Sequence, residues 1–251
     1  MDRNINSNLT KRMQMVAGFI PPHFVIADIG CDHAYVSIAA ALKDPSRKVL
    51  AMDVRPDPLK IARENIREFG LEDQIEIRLS NGFEALKKDE SDCAVIAGMG
   101  GQLMHDILAN GLCKMHDGYV LILSPQSEPE LVRGFLREHG FTIEAENMCF
   151  DKGKYYIAIR AVLHLEDVSS RDINAKDEKS LLAEDALDQY GACLIGDKNP
   201  VLIEFVKREE EKLLSVQEKL GKMDSQSAKE RYQAVTYELE KLGFVKDALK
   251  K

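Results

Sequence analysis

Asp28 and Asp32 bracket Gly30 in the run Val25-Ile-Ala-Asp-Ile-Gly-Cys-Asp-His-Ala-Tyr35, where a short apolar strand gives way to a tight loop. A strand–loop–helix unit of this kind offers backbone N–H groups and a helix N-terminus to a ligand, and a dinucleotide loop follows G-x-G-x-x-G to seat a pyrophosphate. Here Asp32 stands where the second glycine would be, and its charge opposes a pyrophosphate. Two carboxylates suit a ligand that lacks phosphate and carries positive charge, a description met by the sulfonium and ammonium groups of S-adenosylmethionine. The plainer alternative makes Gly30 a turn glycine and the aspartates solvated caps.

Asp53 ends the apolar run Val49-Leu-Ala-Met and so closes the next strand of the unit. An acidic residue about 20 positions beyond the first loop accepts hydrogen bonds from the two hydroxyls of a ribose. The competing role, capping a helix that starts near Pro58, falls more naturally to Asp57.

Apolar runs alternating with helical segments must hold these carboxylates in place, in the manner of a parallel sheet covered on both faces. Strands are expected at Val25–Ile29, Val49–Asp53, Ile75–Leu79, Cys93–Ala97 and Tyr119–Leu123. Between them, residues 58–69 place Leu59, Ala62, Ile66 and Phe69 on one helical face, with Gly70 as the stop. Residues 128–139 repeat the design with Leu131, Phe135 and Leu136. Two further strands, Phe141–Cys149 and Tyr155–Val162, face each other across Asp151-Lys-Gly-Lys154 as an antiparallel hairpin at the sheet edge.

The 251 residues, 45% of them hydrophobic, suffice for one α/β domain and a smaller appendage. No apolar run approaches the ~20 residues of a spanning helix, and the N-terminal segment lacks a hydrophobic signal core; no membrane partner and a cytoplasmic location are expected. Five scattered cysteines without a C-x-x-C pair read as reduced thiols, and no metal site is expected. The net charge of −8 excludes nucleic-acid binding by bulk charge but leaves room for a local basic surface. Residues 164–251 carry 19 acidic and 15 basic side chains, so that both parts of the chain are equally acidic, at −4 each.

From Pro200 onward Leu202, Val206, Leu213, Val216 and Leu220 fall at alternating steps of four and three, with Glu209 at the missing position, and Ala228, Tyr232, Val235, Leu239 and Leu242 repeat the rhythm. The break at residues 221–225 favours an antiparallel helical hairpin over one long rod. Its role is open between packing or dimerisation and an arm that grips RNA through Lys219, Lys222 and Lys229.

Five parallel strands followed by an antiparallel hairpin resemble the class I methyltransferase fold, a Rossmann-like α/β sheet. Asp-Ile-Gly-Cys-Asp-His-Ala-Tyr at 28–35, Ala-Gly-Met-Gly-Gly at 97–101 and Ser-Pro-Gln at 124–126, with the helical C-terminal region, resemble the bacterial tRNA (adenine-22-N1)-methyltransferase family along essentially the whole chain. The resemblance implies a cofactor domain over residues 1–165 and a coiled-coil-like domain over 176–251 serving as a tRNA-binding arm. It implies that Asp28, Gly30, Cys31 and His33 surround the methionine part of S-adenosylmethionine, that Asp53 and Val54 hold the ribose, and that Asn81 and Gly82 flank the adenine. The family pattern has Gly-Asp-Gly near that last place, so Ser80-Asn81-Gly82 replaces a charged acceptor by an amide.

Gly98, Met99 and Gly100 complete the cofactor set, while Gly101, Pro125 and Gln126 are expected to meet the tRNA. Enzymes that methylate an exocyclic amine carry an Asp or Asn, two prolines and an aromatic where this chain has Gly98–Gly101, which favours a ring nitrogen as nucleophile; small residues there also let the backbone approach closely. Met99 is either core filler or a soft contact to the base. Methylated adenine is cationic until it loses a proton, and Asp32 and Tyr35 are the candidates to stabilise that charge, with His33 orienting one of them. Tyr35 packing in the core and His33 serving structurally are the alternatives. Methyl transfer to a small molecule or protein, or nucleotide sensing without catalysis, are the competing functions.

Overall fold

The computed structural model describes residues 5, 8–22, 24–165 and 177–251. The chain divides into two compact units, residues 1–171 and 172–251. The expected boundary segment from 166 to 176 lies outside the described residues.

The first unit runs α1 (Lys11–Gly18), β1 (Ile26–Ile29), α2 (Tyr35–Lys43), β2 (Val49–Asp53), α3 (Pro56–Glu68), β3 (Ile75–Leu79), β4 (Cys93–Ala97), α4 (Gly101–Gly111), β5 (Val120–Ser124), α5 (Pro129–Glu138), β6 (Phe141–Asp151) and β7 (Lys154–Leu163). Its sheet has the order β3-β2-β1-β4-β5-β7-β6, with β1 to β5 parallel and β7 antiparallel to both neighbours. This is the mixed Rossmann-like sheet expected of a methyltransferase.

The central strands are apolar throughout because both faces are covered. Successive residues of β1 and β2 serve opposite cores: Ile26, Val49 and Ala51 pack with Ile38 and Ile66 from α2 and α3, whereas Ala27, Leu50 and Met52 pack with Met104 and Leu108 from α4 and with Val132 and Phe135 from α5. At the β6–β7 turn, Lys152 and Gly153 both adopt positive φ, +47° and +83°, the conformation that matches the twist of a two-residue hairpin.

Several boundaries differ from the sequence expectation for local reasons. Val25 precedes β1 because its N–H is taken by the Asp92 carboxylate at 2.8 Å. Helix α3 begins at Pro56, which is pre-set for a first helical turn, so Asp57 is no cap; it lies inside that turn and pairs with Lys60 at 2.8 Å. In α5 the inward position belongs to Val132, and Leu131 is 38% exposed. The neighbouring Arg133 is buried through an ion pair with Glu146 of β6 at 2.7 Å, a partnership that no helical periodicity reveals.

The second unit contains α6 (Glu178–Tyr190), α7 (Ala192–Gly196), α8 (Pro200–Gly221) and α9 (Gln226–Lys250). Asn199 caps α8 by accepting from the N–H groups of Val201 and Leu202, and Ser225 caps α9 by accepting from Ala228. Such caps stabilise a helix by about 1 kcal/mol each. Gln217 donates to Thr236 at 2.9 Å and Lys246 to Glu210 at 2.6 Å, so contacts between α8 and α9 run in opposite order along the two helices. Of the repeat positions, Leu202, Val206, Ala228, Val235 and Leu242 are buried, Leu213, Val216, Leu220 and Leu239 are partly buried, and Tyr232 is 40% exposed.

Candidate functional site

The order of the sheet reverses between β1 and β4, and a cavity of about 440 Å³ opens across the carboxyl ends of the parallel strands there. That is where an open α/β sheet binds ligands, because loops leaving neighbouring strands diverge. The loop after β1 is drawn against β2 by hydrogen bonds from the N–H groups of Gly30 and Cys31 to the Met52 carbonyl, 2.8 and 2.9 Å. Gly30 has φ +75°, and a side chain there would also meet the Met99 methyl at 2.8 Å. Asp32 and Ala34 take positive φ as well, at +50° and +61°, a strained path that Asn65 of α3 fixes by donating to the His33 carbonyl at 2.9 Å.

Three carboxylates line the cavity. Asp28 is buried at the end of β1 and accepts from the Ser37 hydroxyl at 2.5 Å; burial nonetheless pushes its pKa up to about 6. Asp53 accepts at Oδ2 from the Asp32 N–H, 3.2 Å, and at Oδ1 from the Arg55 N–H, 2.9 Å. Asp32 stands at the mouth with its side chain 62% exposed, near both Arg55 and His33. The Cys31 thiol is pushed up in pKa by burial and by these carboxylates, which leaves it a neutral part of the wall.

Val54, Asn81, Gly82, Gly98 and Met99 complete the expected residues that line this space. Ser80 shapes the third loop, donating to the Gly82 carbonyl and accepting from the Ala85 N–H, while the Asn81 amide donates to Glu84 at 3.0 Å. Met99 lines the cavity and also packs on the core beneath it.

The remaining expected residues lie outside the lining. His33 sits at the entrance, edge-on to Tyr35. Tyr35 packs on the small cluster of Leu9, Ala17 and Ala39, beside Met13, so Asp32 and Tyr35 are not brought together on the cavity wall. Gly100 and Gly101 pack against the loop after β5: a Cβ on Gly101 would stand 2.3 Å from the Glu128 carbonyl oxygen. Pro125 is buried, and Gln126 is exposed with its amide near Gly98. Lys219, Lys222 and Lys229 lie exposed in the second unit, Lys222 paired with Glu218 and Lys229 with Asp224.

Sequence reasoning missed Arg12, which reaches the cavity from α1. Its guanidinium lies 5.1 Å from the centre of the Tyr156 ring and approaches Gly98. Leu103 and Ile107 of α4, also missed, form an apolar wall beside Gly82. Among the described residues, no group of three or more His, Cys, Asp or Glu side chains is arranged to hold a metal ion, and no helix is long and apolar enough to cross a membrane.

The donor set fits S-adenosylmethionine: carboxylates for its positive groups and its ribose, a guanidinium for its carboxylate, and an apolar wall for its base. A sheet of this order with such a site defines a class I methyltransferase, and residues 9–159 match the model of the methyltransferase domain family. The tRNA (adenine(22)-N(1))-methyltransferase of Bacillus subtilis is 31% identical over 95% of this chain and 97% of its own length. The crystal structure of the B. subtilis M1A22 tRNA methyltransferase superposes with a TM-score of 0.79 over 94% of this chain and 98% of that one, at 30% identity. The M. capricolum relative, solved with S-adenosyl-homocysteine, gives 0.77 at 26% identity over 96% and 99% of the two chains. The chain belongs to the tRNA (adenine(22)-N(1))-methyltransferase family.

Proposed function

We propose that the protein methylates N1 of adenine 22 in tRNA with S-adenosylmethionine as methyl donor. The observation that carries this conclusion is that similarity to the B. subtilis enzyme runs through both units, over 95% of the chain, rather than through the cofactor domain alone. Methyltransferases of small molecules or proteins share the fold but are not favoured by a match of that extent.

When bound, S-adenosylmethionine supplies an electrophilic methyl group. Asp28 is suited to the positive end of the cofactor and Asp53 to its ribose, while Asn81 and Gly82 lie beside Leu103 and Ile107 where an adenine is expected. Arg12, the cation that enters from α1, suits the cofactor carboxylate. Adenine N1 presents its lone pair at neutral pH, so placement dominates over general-base help; positioning contributes on the order of 7–11 kcal/mol. Gly98, which lines the cavity without a side chain, permits close approach of the base, and Asp32 at the mouth is suited to stabilise the cationic product. The helical second unit, with Lys219, Lys222 and Lys229, serves as a tRNA-binding arm, and the cytoplasm is where its substrate is found. Incubating the protein with methyl-labelled cofactor and a tRNA transcript tests the reading: label enters the tRNA if it holds, and protein or small molecules alone if it fails.

A further inference from the structure

The β6–β7 hairpin extends past its neighbour. In the β5–β7 ladder Leu123 faces Ile159, and β5 ends one residue later, so β7 overhangs it by roughly four residues, about 13 Å. Because β7 is antiparallel to β5, this overhang stands at the carboxyl ends of the parallel strands, on the edge where the cavity opens. Lys152 and Lys154 are exposed at the tip, with Phe150, 39% exposed, tilted against Tyr155 at 4.7 Å. Helix α1 packs along the same hairpin and adds Lys11 and Arg12, whose charges reach Cys149 on β6 and oppose the upward pull of burial on its thiol. Asp151 is the acidic group of this tip; among the described residues, Lys11, Lys152 and Lys154 have no carboxylate within salt-bridge distance.

A positive, aromatic lip on a molecule of net charge −8 is a local departure from its surroundings. Phosphates are held by lysines and unstacked bases by aromatic faces, a pairing that fits single-stranded nucleic acid. Adenine N1 lies on the base-pairing edge, so the target must be unpaired when it enters the site, and the nucleotides beside it need a surface of their own. Arg12, at once over Tyr156 and in the cavity lining, joins that surface to the site. Resting on the tRNA reading above, we propose that the lip formed by the β6–β7 tip and α1 binds the RNA strand flanking the target adenosine, Lys11, Lys152 and Lys154 on phosphates and Phe150 against a base.

The test is full-length protein carrying Lys11→Glu, Lys152→Glu and Lys154→Glu, compared with a control carrying Lys60→Glu, Arg63→Glu and Arg67→Glu on the exposed face of α3, at the other end of the sheet. Titration with labelled tRNA at several salt concentrations should show the lip variant binding at least tenfold more weakly, with a salt slope smaller by about 2–3 for three lost contacts. Its KM for tRNA rises while kcat at saturating tRNA is retained, calorimetry shows S-adenosyl-homocysteine bound as by wild type, and the control stays within threefold. Phe150→Ala alone should weaken tRNA binding without changing the salt slope. A lip variant that binds tRNA like wild type, or a control that loses as much, overturns the inference while the tRNA reading stands. Wild-type protein that neither binds nor methylates tRNA overturns both.

Discussion

Asp53 is fixed in orientation at the end of β2, since both of its oxygens are held by backbone N–H groups, one from the β1 loop and one from the turn into α3. Asp53→Ala should weaken S-adenosylmethionine binding tenfold or more by calorimetry, as expected for charge-assisted hydrogen bonds worth roughly 1.5–3 kcal/mol. Asp28 makes a prediction in pH. Its carboxyl, raised to about 6 by burial, is largely protonated in the free protein at pH 5, and a cationic ligand favours the ionised form. Binding should therefore release a proton near pH 6 and weaken as the pH falls below it, measured by calorimetry in buffers of different ionisation enthalpy; Asp28→Asn should abolish the release. These carboxylates were legible in sequence because strand ends and loop spacing fix them locally. Arg12 was not, because its place over Tyr156 depends on how α1 packs against a hairpin more than a hundred residues away.

Elements were most legible where one chemical pattern dominated. The runs 49–53 and 93–97 are strands as the apolar pattern required, since residues buried on both faces leave little freedom in register, while 75–79 forms the edge strand with Ile75 buried and Leu79 exposed. Leu131 misled because a side chain at the margin of an apolar stripe can be traded for its neighbour: Val132 is buried in its place, beside Arg133 in its pair with Glu146. The Gly98–Gly101 segment has a packing role that its composition alone did not reveal: Gly101→Ala would drive a methyl group into the backbone after β5. Overpacking of this kind costs about 1–3 kcal/mol, read as a lower Tm. In the second unit, reversing Lys219, Lys222 and Lys229 to Glu should lower tRNA affinity and flatten its salt dependence while cofactor binding is unchanged. Equal tRNA binding by that variant would make α8 and α9 a structural element instead of an arm.

At the scale of the molecule, the proposed tRNA substrate is a polyanion and the protein carries a net charge of −8, so the proposed contacts rest on local basic groups and not on net charge. The sheet order and the match to the methyltransferase domain define the methyltransferase, and the proposed target, N1 of adenine and not its exocyclic amine, rests on kinship with the tRNA (adenine(22)-N(1))-methyltransferase family and on the glycine-rich sequence after β4. Nucleoside analysis by mass spectrometry tests that claim directly, using a tRNA transcript incubated with the protein and isotopically labelled cofactor. The predicted result is labelled 1-methyladenosine, lost when adenine 22 is replaced by guanine; labelled N6-methyladenosine, or label retained in the guanine variant, would contradict it.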